Sequence, residues 1–377
     1  MVHEFGHYAT ARRYGMRVTE FFLGFGKRLW SVQRGETEFG IKAIPAGGYC
    51  KISGMSPQEV LPEEIQERAF YRAPVRKKLV VLGAGSFLHF ILGAVLLFLL
   101  FAGIGTSQVL PKISQVVPCV PSSAECLSTD PISPAARIGL LPKDEILGIG
   151  SDSQMSWEEV TQTLRTSPGK TITLVIRRGQ EILRIEVTLA SRIIEGETRG
   201  FLGIVNEFGL VRENPIAAAR STAQAMGALT TGSVKALISL PAQIPSLLRQ
   251  TFLGEERKGD GLVGIVGVAR VTGEASSSGN LSTGEKIATF ILIVASLNIF
   301  VGIFNLLPIL PLDGGHMAVA LYEGARRKVA TLRRAPDPGP VDVEKLTPVT
   351  VTVFFILIAL TALLLVADIF NPINLNL

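Results

Sequence analysis

Two histidines and a glutamate stand together at the start of the chain, in the run His3-Glu4-Phe5-Gly6-His7. On a helix, residues four apart share one face, so both imidazoles reach the same point. Paired imidazole nitrogens suit Zn²⁺, which binds them at about 2.0–2.1 Å. The glutamate between them projects toward the open side of such an ion. There a carboxylate takes a proton from water and returns it to a leaving amine. A helical His-Glu-x-x-His run is the pattern of zinc peptidases. A third protein ligand must come from elsewhere. Thr10 and Arg13 stand where the soluble extension of the pattern requires glycine and histidine. The best candidate is Asp313, in the stretch that runs from Asn305 through Pro308 and Pro311 to Gly314. An acid at the end of an apolar run is costly unless it is paired or metal-bound. The prolines also release backbone groups that suit an extended peptide. His316 is a rival ligand. The chain has four histidines, and His89 is the one left over.

The elements that must carry these residues are largely apolar. Hydrophobic residues make up 47% of the chain and charged residues 18%, with a mean hydropathy of +0.38. That balance predicts membrane spans and excludes a soluble zinc peptidase. Residues 79–102 hold one histidine and no Asp, Glu, Lys or Arg. As a helix they cover roughly 36 Å, enough for a bilayer core. Residues 286–310 and 346–369 predict two further spans. Residues 1–14 predict a helix too short to cross alone. A full span there predicts roughly 15 more apolar residues ahead of Met1.

Between the spans the pattern changes. Residues 15–54 alternate and are rich in glycine, which predicts a membrane-associated β-hairpin. Residues 112–207 are soluble in character. They predict a polar helix over 157–166 and strands over 171–177 and 181–189 joined by the tight turn Arg178-Gly179-Gln180. Residues 215–280 predict amphipathic helices and a loop at the membrane interface. Cys119 and Cys126 are spaced for a small disulfide loop if that stretch is extracytoplasmic. Otherwise they are two unpaired thiols.

The net charge is +5, and the basic residues cluster. Arg68, Arg72, Arg76, Lys77 and Lys78 precede the first span, and Arg326, Arg327, Lys328, Arg333 and Arg334 lie between the last two. Both loops therefore face the cytoplasm, and residues 103–285 face the other side. No aromatic-studded basic domain accompanies the charge, so nucleic acid is not the partner.

With these motifs in order on the right kinds of segment, the chain resembles the site-2 protease family of intramembrane zinc metalloproteases. It is most similar to the bacterial type with an extracytoplasmic PDZ domain, among actinobacterial members. The resemblance rests on His3 to His7 followed by Ala11-Arg12, on Gly24-Phe25-Gly26 and Pro45-Ala46-Gly47-Gly48-Tyr49, and on Asn298 through Leu312-Asp313-Gly314. It implies a polytopic α-helical membrane protein with a membrane-associated β-hairpin and an extracytoplasmic PDZ-like α+β domain. The expected location is the plasma membrane, with the active site near the cytoplasmic face. It implies His3, His7 and Asp313 as Zn²⁺ ligands, Glu4 as general base, and Asn305 and Asn298 as contacts to the substrate backbone. Single-pass membrane proteins such as anti-sigma factors are the implied substrates. A PDZ-like domain adds a peptide strand to a sheet edge, here expected near Ile138-Gly139-Leu140-Leu141. The chain departs from the pattern at His89, where an asparagine is expected. The alternative reading is an inactive membrane scaffold that binds extracytoplasmic tails through the PDZ-like domain.

Overall fold

Apolar runs bounded by proline and capping residues become the long helices of the computed structural model, which describes residues 1–121, 126–152, 155–194, 196–255, 257, 262–277 and 281–372. The chain divides into two compact units, residues 1–103 with 213–377, and residues 104–212.

The first unit opens with α1 (Val2–Arg13), whose acidic first turn and basic last turn complement the helix dipole. Strands β1 (Val18–Arg34) and β2 (Thr37–Ile52) follow. They are not a flat hairpin. Gly24 and Gly26 take positive φ, and a Cβ on Gly24 would lie 2.6 Å from the Ile44 carbonyl oxygen. The bent strands therefore fold on each other, so that Phe21 stands opposite both Cys50 and Phe39. Tyr8 of α1 meets Phe21 and Phe39 edge-on, with ring centroids 5.5 and 5.4 Å away. Below them Ala11, Met16, Val18, Ile52, Phe70, Val81 and Leu82 form a buried cluster.

After the short α2 (Glu63–Gln66), Pro74 caps α3 (Val75–Phe98), which continues as a π-helical turn through Ile104. The apolar helix thus starts ahead of the expected 79–102. Lys78 is accommodated because its Nζ lies 3.0 Å from both carboxylate oxygens of Glu323.

The second unit is an α+β domain. Its elements are β3 (Thr106–Val116), α4 (Pro134–Arg137), β4 (Glu145–Ile149), α5 (Trp157–Arg165), β5 (Thr171–Arg178), β6 (Glu181–Thr188), β7 (Ala190–Ile194), β8 (Glu197–Phe201) and β9 (Ile204–Val211). The sheet runs β6-β5-β4-β3-β9, and β7 and β8 pair separately. Ile113, Leu140, Ile146, Leu174, Ile176, Val187 and Leu189 fill its core. Cys119 and Cys126 are joined by a disulfide. The stretch Ile138-Gly139-Leu140-Leu141 is held in place from both sides. Leu140 is buried in the core, the Gly139 carbonyl accepts from Arg178, and the Leu141 amide donates to Asp144. The open strand edges are β6 and β9.

The first unit resumes with α6 (Pro215–Phe252), one helix although it contains Pro241 and Pro245. Then come α7 (Ile265–Ser277), α8 (Thr283–Asn305), α9 (Asp313–Leu332) and α10 (Thr347–Phe370). The expected span 286–310 ends early, at Asn305. Proline has no amide hydrogen and disfavours helix in the residue before it, so Pro308 and Pro311 keep the following residues irregular. Among the described residues, three helices are long and apolar enough to cross a membrane, over Val75–Ile104, Thr283–Asn305 and Val343–Phe370. Small residues let α3 and α8 approach closely: a Cβ on Gly93 would lie 2.9 Å from Ile299, and one on Gly302 3.3 Å from Ser86.

Asp144 ties β4 to β5. Burial pushes its carboxyl up, but Arg178 grips both oxygens at 2.8 and 2.6 Å and the Leu141 amide adds a third bond. The net result is a carboxyl held below its usual range. A depressed folded-state value means stability that is present above the unfolded value and is lost as the pH falls through the folded one. Asp144→Asn should therefore cost the second unit roughly 2 kcal/mol at neutral pH. The gap from wild type should close as the pH drops below about 4. Hydrogen exchange of β4 and β5 in the full chain, compared at neutral and acidic pH, checks both statements.

Candidate metal centre

Three side chains from distant parts of the first unit converge. His3 Nε2 lies 3.0 Å from His7 Nε2, and Asp313 Oδ2 lies 2.9 Å from His3 Nε2 and 3.3 Å from His7 Nε2. A tetrahedral centre with arms of about 2.0–2.1 Å separates its ligand atoms by about 3.3 Å. The observed triangle is close to that size. Among the described residues, these three form the group able to hold a metal ion. The electrostatics agree. Asp313 Oδ2 is buried with the two histidine nitrogens as its polar neighbours, and a buried carboxylate is costly unless a cation or a donor answers it. His7 Nδ1 donates to the Val81 carbonyl at 2.7 Å. That bond fixes the tautomer and leaves the Nε2 lone pair directed at the centre. Two imidazoles and a carboxylate are a donor set that fits zinc.

Close helix packing makes this possible. A Cβ on Gly6 would lie 2.5 Å from the Ala84 carbonyl oxygen, so α1 rests directly on the α3 backbone. A Cβ on Gly85 would lie 2.5 Å from both Cε1 and Nδ1 of His3. Glycine there leaves the space that the His3 ring occupies. Asp313 opens α9, where the helix dipole favours an anion. Residues 306–312 fold back over that first turn, and the Leu310–Pro311 peptide is cis. Cβ atoms on Gly314 and Gly315 would lie 2.2 and 2.5 Å from that backbone. Glu4 faces β2: a Cβ on Gly48 would lie 3.7 Å from Glu4 Cγ.

The other predicted residues fall nearby but not on the triangle. Asn305 ends α8, with its Nδ2 3.5 Å from His3 Nδ1. Asn298 has both ends of its amide engaged: Nδ2 donates to the Val294 carbonyl and Oδ1 accepts from His89 Nδ1, each at 2.8 Å. The His89 ring sits 5.4 Å from that of His3. His316 lies one turn beyond Asp313 and lines a cavity of about 30 Å³ with Lys78 and Glu323. His3, His7 and His89 thus gather in one region. Sequence reasoning did not identify Val81, Gly85 or the His89–Asn298 pair. Glycines in an apolar helix are the one sequence signal for such close approaches.

The profile described as Peptidase family M50 matches residues 1–335. The zinc metalloprotease Rip1 of Mycobacterium tuberculosis (strain ATCC 25618 / H37Rv) is 33% identical over 390 residues, spanning 99% of this chain and 95% of that protein. The zinc metalloprotease Rip1 of Mycolicibacterium smegmatis is 32% identical over 396 residues, with 99% and 95% covered.

Gly85→Ala is expected to push the His3 ring off the triangle while α3 stays helical. Bound zinc, measured by elemental analysis of the purified chain, should fall well below one per chain. Full zinc occupancy would show that the ring has room to spare.

Proposed function

Since the chain belongs to peptidase family M50 and is an intramembrane zinc metalloprotease, we propose that His3, His7 and Asp313 hold the zinc and that Glu4 is the general base. The observation that carries the assignment is the convergence of two Nε2 atoms on a buried carboxylate oxygen. When bound, zinc polarises the scissile carbonyl and acidifies a water molecule. The Glu4 carboxylate accepts the proton of the attacking water and passes it to the departing amide nitrogen. The Val81 carbonyl holds the His7 ring in register throughout. A substrate helix must unwind locally to expose its amide. The non-helical stretch 306–312 offers backbone groups to receive it as an extended strand. Asn298 lies beside the site through its bond to His89 and keeps one amide hydrogen and one oxygen lone pair free of the bonds to Val294 and His89 for a substrate backbone.

The rest of the architecture fits a polytopic membrane protease. The basic clusters around Arg76 and Arg326 face the cytoplasm by the positive-inside rule, which puts the Asp313 end of α9 near that face. Residues 104–212 then lie outside. The Cys119–Cys126 disulfide supports that side, since such bonds persist in oxidising compartments. The outer unit is PDZ-like and takes extended peptide along an open edge. The β9 edge, with exposed Val205 and Phe208, suits strand addition. The substrates are single-pass membrane proteins of the anti-sigma-factor kind, cut to release a cytoplasmic fragment.

Glu4→Gln is expected to lower cleavage of a single-span model substrate in vesicles at least about 100-fold while zinc stays bound. Asp313→Ala is expected to lose the zinc. Equal cleavage by wild type and Glu4→Gln would remove Glu4 from its role.

A further inference from the structure

A metal-bound imidazole needs two things settled: its ring nitrogen must keep a lone pair for the ion, and its other nitrogen must donate its proton to an acceptor. For His7 that acceptor is visible, the Val81 carbonyl 2.7 Å from Nδ1. For His3, among the described residues, it is a side chain. The polar contact at His3 Nδ1 is the side-chain amide of Asn305, at 3.5 Å. We infer that Asn305 is a positioning residue for His3, whose side-chain oxygen accepts the Nδ1 proton and so directs Nε2 at the metal.

The inference rests on the reading of His3 as a zinc ligand. It differs from the expectation that Asn305 touches the substrate. The two ends of an amide are nearly the same size, and a half-turn about the last side-chain bond exchanges them. With the nitrogen facing His3, the ring accepts at Nδ1 and its proton sits on Nε2. That proton would point into the triangle, 2.9 Å from Asp313 and 3.0 Å from His7. Only the other tautomer frees Nε2 for a metal, and that tautomer requires an acceptor at Nδ1. The oxygen of Asn305 supplies one. The ring cannot swing away from it, because the space behind is bounded by Gly85. A contact at 3.5 Å is long for a hydrogen bond, and site contacts of this kind tighten when the site is filled.

The position of Asn305 also links two ligands. It is the last residue of α8, and the stretch that follows it delivers Asp313. A side chain anchored on His3 at this point couples the ring to the path of the carboxylate. The His7 side has no such coupling, since Val81 belongs to α3.

The test uses the full chain purified in detergent, with Zn²⁺ affinity from chelator competition, the visible spectrum of the Co²⁺-loaded protein, and KM and kcat on a single-span model substrate. Asn305→Ala should weaken Zn²⁺ about 10–100-fold, the usual cost of losing an outer partner, and should alter the Co²⁺ spectrum. Asn305→Asp keeps an acceptor and cannot donate, so it should bind Zn²⁺ at least as tightly as wild type. A tenfold loss in Asn305→Asp would mean that the amide donates, and would overturn the inference even if Asn305→Ala does not fold. Wild-type Zn²⁺ affinity in Asn305→Ala with a raised KM would assign Asn305 to the substrate instead. Asp313→Ala is the control for the site itself. If it binds Zn²⁺ like wild type, the ligand assignment fails; if it loses Zn²⁺ while Asn305→Ala does not, only the role of Asn305 fails.

Discussion

The buried oxygen of Asp313 beside two histidine nitrogens is the interaction around which the first unit is arranged. A carboxylate among apolar helices is expensive. Its position at the first turn of α9 answers part of that cost through the helix dipole. Under the proposed assignment a divalent cation would answer the rest. Each neighbouring feature keeps these three atoms close enough together for one ion. Gly6 and Gly85 allow α1 onto α3, while Gly314 and Gly315 allow the segment before α9 to double back. Val81 and Asn305 border the outer nitrogens of the two rings. A side chain larger than hydrogen at any of these glycines would separate ligands before it disturbed anything else.

Polar groups elsewhere in the apolar helices follow the same rule of answered charge. Lys78 and Glu323 pair with almost no exposure, and Arg327 adds a second cation 3.2 Å from Glu323. Near the end of α10, Asp368 accepts from Arg257 at 3.0 Å and from the Gly267 amide at 2.7 Å. Buried pairs of this kind add little net stability, but removing one partner strands the other. They fix which helix faces meet: α3 against α9, and α10 against the start of α7.

The soluble unit obeys different physics. Its strands alternate around an apolar core, and Asp144 with Arg178 fastens the loop beside α4. That fastening holds the Ile138–Leu141 stretch in one conformation, with Leu141 exposed. The open edges of the sheet remain as the places where its backbone can accept another strand.

Much of the chemistry was legible in the sequence, because it depends on residue type and short spacing. Histidines four apart must share a helix face. A long stretch without charge must be a helix that can span. A Gly-containing turn between alternating runs must join two strands, as Arg178 and Glu181 do. Asp313 stood out because an acid after two prolines in apolar surroundings needs a reason. Other features were not legible, since they depend on contacts between residues far apart in the chain. The end of α8 at Asn305 is set by where the segment must turn to bring Asp313 back to His3. The double pairing of β1 comes from glycine bends whose direction no periodicity encodes. The engagement of Asn298 with His89 depends on the rotation of α8 against α3. The sequence by itself determined which groups can bind a metal and move a proton. Tertiary structure decided which of them meet, because a metal site needs atoms about 3 Å apart and only close helix packing brings residue 3 and residue 313 to that distance.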